Sequence, residues 1–363
     1  MSEELRTPRI LLAGIAKNEA AYLPEWIFHH LNIGVAGVLV YINNTDDNSA
    51  QILDKIAENH PVSYEFADDI ASNTSTNILK RIGEHFLEYS PLQSKSYAQI
   101  YQQTDASEYD YILYLDVDEY LCLDQKLSEL TQENLFRHPV ICFQWFSVTG
   151  DKKAFATLDK DVKGEFDQFS KYMIKTGQED AKFFSCHIAR LNDDLFHRYS
   201  GGLILHRVLR SRLEYLALIA RSNPTQNNLS NGFKMNRRGW TSYGPKSLDK
   251  KYHYLFEQYS LRFDQFCDSN HLAEQLQVAR DNVISRSHIV INDMKMLKQQ
   301  NNELGKVLMG TGISNLSPLK WLFLEVSNRM VRLLFPSLTI KHVPIISHIK
   351  FKLKLYKSDN FLD

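Results

Sequence analysis

The chain has 363 residues, room for one large α/β domain or one and a half, and its 42 Lys and Arg nearly balance 43 Asp and Glu. That balance leaves no global field for nucleic acid. The four cysteines (Cys122, Cys142, Cys186, Cys267) form no Cys-x-x-Cys and read as thiols of a reducing compartment, not as a disulfide frame or zinc site. The opening residues lack the basic start and apolar core of a signal peptide, and no uncharged apolar stretch reaches ~18 residues. A cytoplasmic protein is expected.

Arg9–Ala16 (RILLAGIA) has strand length and is left at Lys17-Asn18-Glu19. Leu23, Trp26, Ile27, His30 and Leu31 then recur at helical spacing, predicting a helix over 20–33 that tolerates Pro24 near its first turn and stops at Gly34. Gly37–Ile42 (GVLVYI) is a second buried strand, left at Asn43-Asn44-Thr45-Asp46-Asp47, and Asn48 is placed to cap a helix over 49–59. Val62–Phe66 is a third strand, and a polar stretch over 71–77 leads into one or two helices ending near Thr104. Tyr111–Leu115 is a fourth, apolar on both faces and followed by Asp116-Val117-Asp118-Glu119. Strands alternating with helical stretches predict a mostly parallel sheet with helices on both faces.

Val140–Ser147 (VICFQWFS) continues as another buried strand, and the charged stretch 151–180 reads as loop-rich. Strands are expected over 182–191 and 201–210, a helix over 211–220, an exposed polar loop over 223–231 and helices over 248–300. Between the last two lies a basic, aromatic cluster: Lys234, Arg237, Arg238, Trp240, Tyr243 and Lys246. From Leu316 the chain alternates apolar and basic residues. It fits both a packing helix with a solvated basic end and an amphipathic segment lying on an anionic membrane surface.

Sheets of this class bind ligands beyond the carboxyl ends of their strands. Three of those ends carry polar clusters: Lys17-Asn18-Glu19, Asn43-Asn44 with Asp46-Asp47, and Asp116-Asp118-Glu119. If the backbone stays extended, Asp116 and Asp118 point to one side. Two hard oxygen donors there suit Mg²⁺ or Mn²⁺ carrying a phosphorylated ligand. An acidic turn closing a strand is the plain alternative. The missing Gly-x-Gly-x-x-Gly and phosphate-loop Lys-Ser/Thr set aside dinucleotide dehydrogenases and nucleoside-triphosphate hydrolases.

Residues 17–27 (KNEAAYLPEWI) with His29-His30 and Gly34-Val35, residues 40–47 (VYINNTDD), residues 115–121 (LDVDEYL) and residues 205–211 (LHRVLRS) together resemble a group of bacterial family 2-like glycosyltransferases related to family 92. The resemblance covers roughly 9–245 and is densest before 125. Arg207 stands where that group usually has Tyr, and Trp145 is followed by Phe-Ser-Val-Thr-Gly-Asp instead of the usual Phe-Gly-Ser-Ser-Gly-His.

The resemblance implies a Rossmann-like GT-A fold over 1–260, with a nucleotide-sugar half (1–125) and an acceptor half (126–260). A helical extension (261–315) and the basic tail (316–363) follow. It implies a metal-dependent, inverting transfer from a nucleoside diphosphate sugar, UDP-sugar favoured, to a saccharide, lipid-linked or protein-linked hydroxyl. A divalent cation would neutralise the departing diphosphate. Asp118, Asp116 and His206 are the implied ligands of Mn²⁺ or Mg²⁺, with Asp116 alternatively on the ribose. Lys17, Asn18, Glu19, Asn43, Asn44, Asp47 and Arg210 are implied at the donor, with Arg237 and Arg238 as further phosphate contacts. Asp151, by its place after the Trp strand, Glu119 and His187 are candidates for the base that deprotonates the acceptor.

Plain readings stand beside these. Glu19 and Glu25 would complement a helix dipole, the arginines would form a solvated face, and Trp145 would be core. Two rival functions remain: a phosphohydrolase with an aspartyl nucleophile, and a non-catalytic nucleotide-sugar-binding protein.

Overall fold

A computed structural model describes residues 7–67, 74–130, 135–151, 153–191, 197–221, 234, 237, 239–297 (backbone only from 289), 307–308 and 310–311. Arg238, the polar loop over 223–231 and the basic tail from 316 lie outside these residues.

The first half alternates as its sequence pattern predicts. Strand β1 (Ile10–Ala16) leads to α1 (Leu23–Asn32), β2 (Gly37–Ile42), α2 (Ser49–Ala57) and β3 (Val62–Phe66). Three helices follow where one or two were expected: α3 (Thr76–Leu79), α4 (Glu84–Tyr89) and α5 (Pro91–Gln103). Gly34 ends α1 at φ +102°, a conformation that favours a residue without Cβ. Asn48 occupies the N-cap of α2 but spends its amide on the Gln275 carbonyl, and Asp47 accepts from the Ser49 N–H instead.

Next come β4 (Tyr111–Tyr114), β5 (Glu119–Leu123), β6 (Val140–Val148), β7 (Lys163–Lys175), a hairpin of β8 (Lys182–Ser185) and β9 (Ile188–Arg190), and β10 (His197–His206). Helix α6 (Arg212–Ala220), the short β11 (Lys246–Ser247), α7 (Tyr259–Ser269) and α8 (Ala273–Leu297) complete the order. The stretch expected to be loop-rich therefore holds the thirteen-residue β7. The single strand expected over 182–191 is the β8–β9 hairpin.

The main sheet has the order β3-β2-β1-β4-β7-β6-β10-β5, with β11 against β7. Only β7 and β5 run against the rest, so the Rossmann-like, mostly parallel α/β class holds. Alternate side chains feed two cores. Ile10 and Leu12 pack with α1, α2 and α7 on one face, while Leu11 and Ala13 pack with α5 and the hairpin on the other. A few residues separate β4, inside the sheet, from β5, its terminal strand. To make that connection the sheet curls, and β5 lies against α1.

The chain turns across that gap. The Glu119 N–H donates to the Asp116 carbonyl at 2.9 Å, so the backbone is not extended through the two acids and period-two geometry does not align them. Gly14 sits where an added Cβ would stand 2.8 Å from the Leu115 carbonyl oxygen and 3.0 Å from the Trp26 ring. All four cysteines are free. No helix among the described residues is long and apolar enough to cross a membrane.

Candidate active site

The exits of β2, β1 and β4 are flush. Ala16 pairs with Ile42, and the ladder continues through Asn43 N–H to the Ala16 carbonyl (2.9 Å) and Leu115 N–H to the Ala13 carbonyl (3.0 Å). The three polar clusters thus share one edge. The end of β10 joins them, because His206 pairs with Glu119 across the β10–β5 ladder.

Asp118 lies at this seam, with a side chain 14 % exposed and Oδ2 3.8 Å from His206 Nε2. Its carbonyl accepts the Arg207 N–H at 2.7 Å. Burial works to raise the Asp118 carboxyl, but the fields of His206, Arg210, Arg237 and Lys234 overcome it and hold the group at about 2. Burial pushes His206 down to about 4 against the pull of Asp118, so its imidazole is neutral at pH 7. Trp145 packs on that imidazole with ring centroids 4.0 Å apart and only partly joins the core.

Asp116 and Glu119 do something different. Lys171, fully buried on β7, donates to Asp116 Oδ2 at 3.0 Å and reaches Glu119 Oε2 at 3.1 Å. Burial would lower the Lys171 ammonium, but the two carboxylates outweigh it and raise its pKa. Glu119 Oε2 also accepts the Asp116 N–H at 2.8 Å, so acid and turn brace each other. Glu119 is fully buried, with Oε2 held by Lys171 and the Asp116 N–H, which does not favour its expected role as base. Sequence reading missed Lys171, although it interrupts the apolar alternation Phe169-x-Lys171-x-Met173.

The β1 and β2 loops are cross-braced. Asn18 and Asn44 both take positive φ (54° and 48°), a region Asn tolerates. Asn18 N–H donates to Thr45 Oγ1 and its Oδ1 accepts the Asp46 N–H, while Asp47 Oδ2 accepts the Ala20 N–H. Asn18 and Asp47 therefore tie the two loops together through these bonds. Lys17 and Asn43 are buried at the exits. Burial and the Arg221 charge lower the Lys17 amine, against the pull of Asp46.

Glu19 is gripped by two arginines from the ends of α6. Arg210 Nη1 stands 3.5 Å from Oε2, and Arg221 bonds Oε1. Arg210 adopts φ +45° and lays its guanidinium on the Tyr22 ring, 3.3 Å from the centroid. Glu25 is likewise paired, with Arg207 at 3.1 Å and the Leu158 N–H at 2.7 Å. Both glutamates are held in buried ion pairs, and Glu25 also lies in the first turn of α1, where it complements the helix dipole as expected.

Arg207 also binds Asp151 at 2.6 Å and the Ala156 carbonyl. One oxygen of Asp151 is thus spent on the Arg207 guanidinium, while its side chain stays 30 % exposed. His187 stands across Trp145 from His206, with ring centroids 4.9 Å from the indole. Its Nδ1 must donate to the Ser170 carbonyl (2.8 Å), which places the lone pair of the neutral ring on Nε2.

Among the described residues no group of three His, Cys, Asp or Glu side chains is set to hold a metal. Asp118 and the neutral His206 together offer one carboxylate and one imidazole, two donors that could face a divalent cation. Asp116 has one oxygen on Lys171 and its side chain is 41 % exposed.

No protein-family model and no curated protein matches the chain. Among solved structures it is similar to HddC from Yersinia pseudotuberculosis, at 10% identity over 55% of this chain and 93% of that one, with a TM-score of 0.30. It is also similar to residues 1–349 of TarS from S. aureus, at 12% identity over 81% of this chain and 93% of that one, with a TM-score of 0.32. Likenesses this distant speak to neither substrate nor mechanism, which the side chains must carry by themselves.

Proposed function

We propose that the chain is a glycosyltransferase that moves a sugar from a nucleoside diphosphate sugar, UDP-sugar favoured, to a hydroxyl acceptor. The acceptor would belong to a cell-surface polysaccharide, glycolipid or glycoprotein, and the enzyme would work in the cytoplasm, with its basic tail as a candidate membrane contact. One observation carries this reading. A half-buried aspartate, Asp118, stands 3.8 Å from His206 and within the fields of Arg210, Arg237 and Lys234, at the edge where the β1 and β2 loops open. A carboxylate within a basic ring suits a phosphorylated ligand bridged to the protein by a divalent cation.

Asp118 and His206 would hold Mn²⁺ or Mg²⁺, which would supply Lewis-acid stabilisation of the leaving diphosphate. The chain's own groups do the rest. Arg210 lies over Tyr22 and against Glu19, with a fork shaped for phosphate oxygens. Lys171 holds one oxygen of Asp116, leaving the other to accept a ribose hydroxyl. His187 is the best-placed base for an inverting attack, because its Nδ1 bond fixes the tautomer with Nε2 basic. Trp145, wedged between His187 and His206, lines the space where the transferred sugar would lie.

The test is a thermal-shift screen of UDP-, GDP- and CMP-linked sugars with and without Mn²⁺, followed by turnover of whichever donor stabilises the chain. Asp118→Ala should abolish cation-dependent turnover and keep the fold. Full activity in that variant would contradict the assignment.

A further inference from the structure

We propose that Arg210, Arg221, Lys234 and Arg286 form, beside Lys17, a built-in anion clamp that seats the donor's diphosphate without help from a divalent cation. The identification of the anion as a donor diphosphate rests on the transferase reading above. The clamp itself rests on where the charges lie.

Three separate pieces of chain bring these cations over the exit of β1. Arg210 precedes the N-cap of α6 and Arg221 is its C-cap, yet both guanidiniums reach the one carboxylate of Glu19. Lys234 is docked against the same helix by its N–H to the Ile219 carbonyl (2.8 Å) and is buried. Arg286 comes from α8 and meets the Asn18 carbonyl at 3.4 Å. Within the described residues, Glu19 is the only carboxylate that contacts any of these arginines.

Several donors are left over. Nη2 of Arg210, Nε of Arg221 and Nε of Arg286 are buried and have no hydrogen-bond partner among the described residues. Arg210 is 6 % and Arg221 9 % exposed. Burial together with the charges of Arg286 and Arg237 brings Arg221 down to about 9, and burial with Arg237 and Arg221 lowers Lys234. Buried like charges with unfilled donors are costly, and neither packing nor Glu19 alone relieves them. A ligand with several anionic oxygens does. Arginine forks match phosphate oxygens two at a time, and a diphosphate supplies enough oxygens to span guanidiniums arriving from both ends of α6. With this much positive charge fixed in place, a cation bound at Asp118 and His206 would serve bond cleavage and need not serve binding.

The probe is inorganic pyrophosphate, added in EDTA to the full chain at matched ionic strength. It should raise the melting temperature, orthophosphate should do so less, and Lys234→Met and Arg210→Gln should each weaken pyrophosphate binding by about tenfold or more. Lys246→Ala, on the exposed β11, is the control that should leave binding unchanged. If either clamp variant does not fold, the other gives the same readout. Absence of a shift in EDTA, or an undiminished shift in the folded variants, overturns the clamp. Binding of UDP-, GDP- or CMP-sugars only with Mn²⁺ would also overturn it while sparing the transferase. Pyrophosphate binding with no response to any nucleotide sugar would sink the transferase and leave the clamp standing.

Discussion

At the scale of single residues, the division between Asp116 and Asp118 comes from one lysine. Lys171 places an ammonium at the turn and binds both Asp116 and Glu119, whereas the Asp118 carboxylate pairs with His206. Removing one partner of a fully buried pair leaves an uncompensated charge, and that costs more than the pair contributes. Lys171→Met should therefore destabilise the chain by about 3–5 kcal/mol in urea denaturation. Adding Glu119→Leu should recover most of that loss, because the stranded carboxylate goes too. If the double variant is no more stable than the single one, the bracket is not what holds the turn. None of this was legible beforehand. A lysine inside Phe-Ser-Lys-Tyr reads as solvated until its neighbours on the same strand face are seen to be core.

At the scale of elements, what the sequence made legible was local. The exits of β1, β2 and β4 were readable because apolar runs stop abruptly at polar clusters, and the helix stop at Gly34 because glycine is the residue that best takes the positive φ found there. Strand β7 was not, since residues 163–168 (KGEFDQ) hold three charges, a glycine and one apolar side chain, too little apolar pattern to mark a strand. The turn through Asp116–Asp118 was hidden too, because β5 pairs with β10, some eighty residues onward, and no local pattern announces that partner. Arg221 and Arg286 were missed for the same reason: their meeting point is set by how α6 and α8 pack. Helix α6 depends on a capping box in which Ser211 Oγ accepts the Glu214 N–H and Glu214 accepts the Ser211 N–H. Ser211→Ala should cost about 1 kcal/mol. Because Arg210 adjoins that cap, the same change should also weaken pyrophosphate binding in titrations, while Thr at 211 should preserve both. A stability loss with untouched anion affinity would detach the clamp from the cap.

For the whole molecule, curling the sheet exposes a problem at its last strand. The outward backbone groups of β5 have no strand to pair with, and an unpaired edge is both costly and prone to association. Helix α1 closes it. Trp26 Nε1 donates to the Glu119 carbonyl (2.9 Å), His29 Nε2 donates to the Leu121 carbonyl (2.8 Å), and His30 Nε2 accepts the Leu121 N–H (3.2 Å). That arrangement requires the His30 imidazole to be neutral, since it accepts at Nε2 while giving its Nδ1 proton to the Trp26 carbonyl; His29 Nδ1 pairs with the Tyr259 hydroxyl. Burial lowers His29 to about 4 and lowers His30 as well. A histidine whose folded value lies below its unfolded 6.5 takes up its proton preferentially on unfolding. Its stabilising share is therefore complete above pH 6.5 and is lost as pH falls through 4. For His29 alone that share is roughly 3 kcal/mol. Urea midpoints measured from pH 7.5 to 4.5 should fall steadily below 6.5, and His30→Gln, whose amide oxygen can still accept the Leu121 N–H, should flatten part of that slope. Since β5 begins one residue after Asp118, ligand stabilisation should decline over the same interval. A midpoint that stays level down to pH 4.5 would mean that these two imidazoles do not close the sheet as neutral partners.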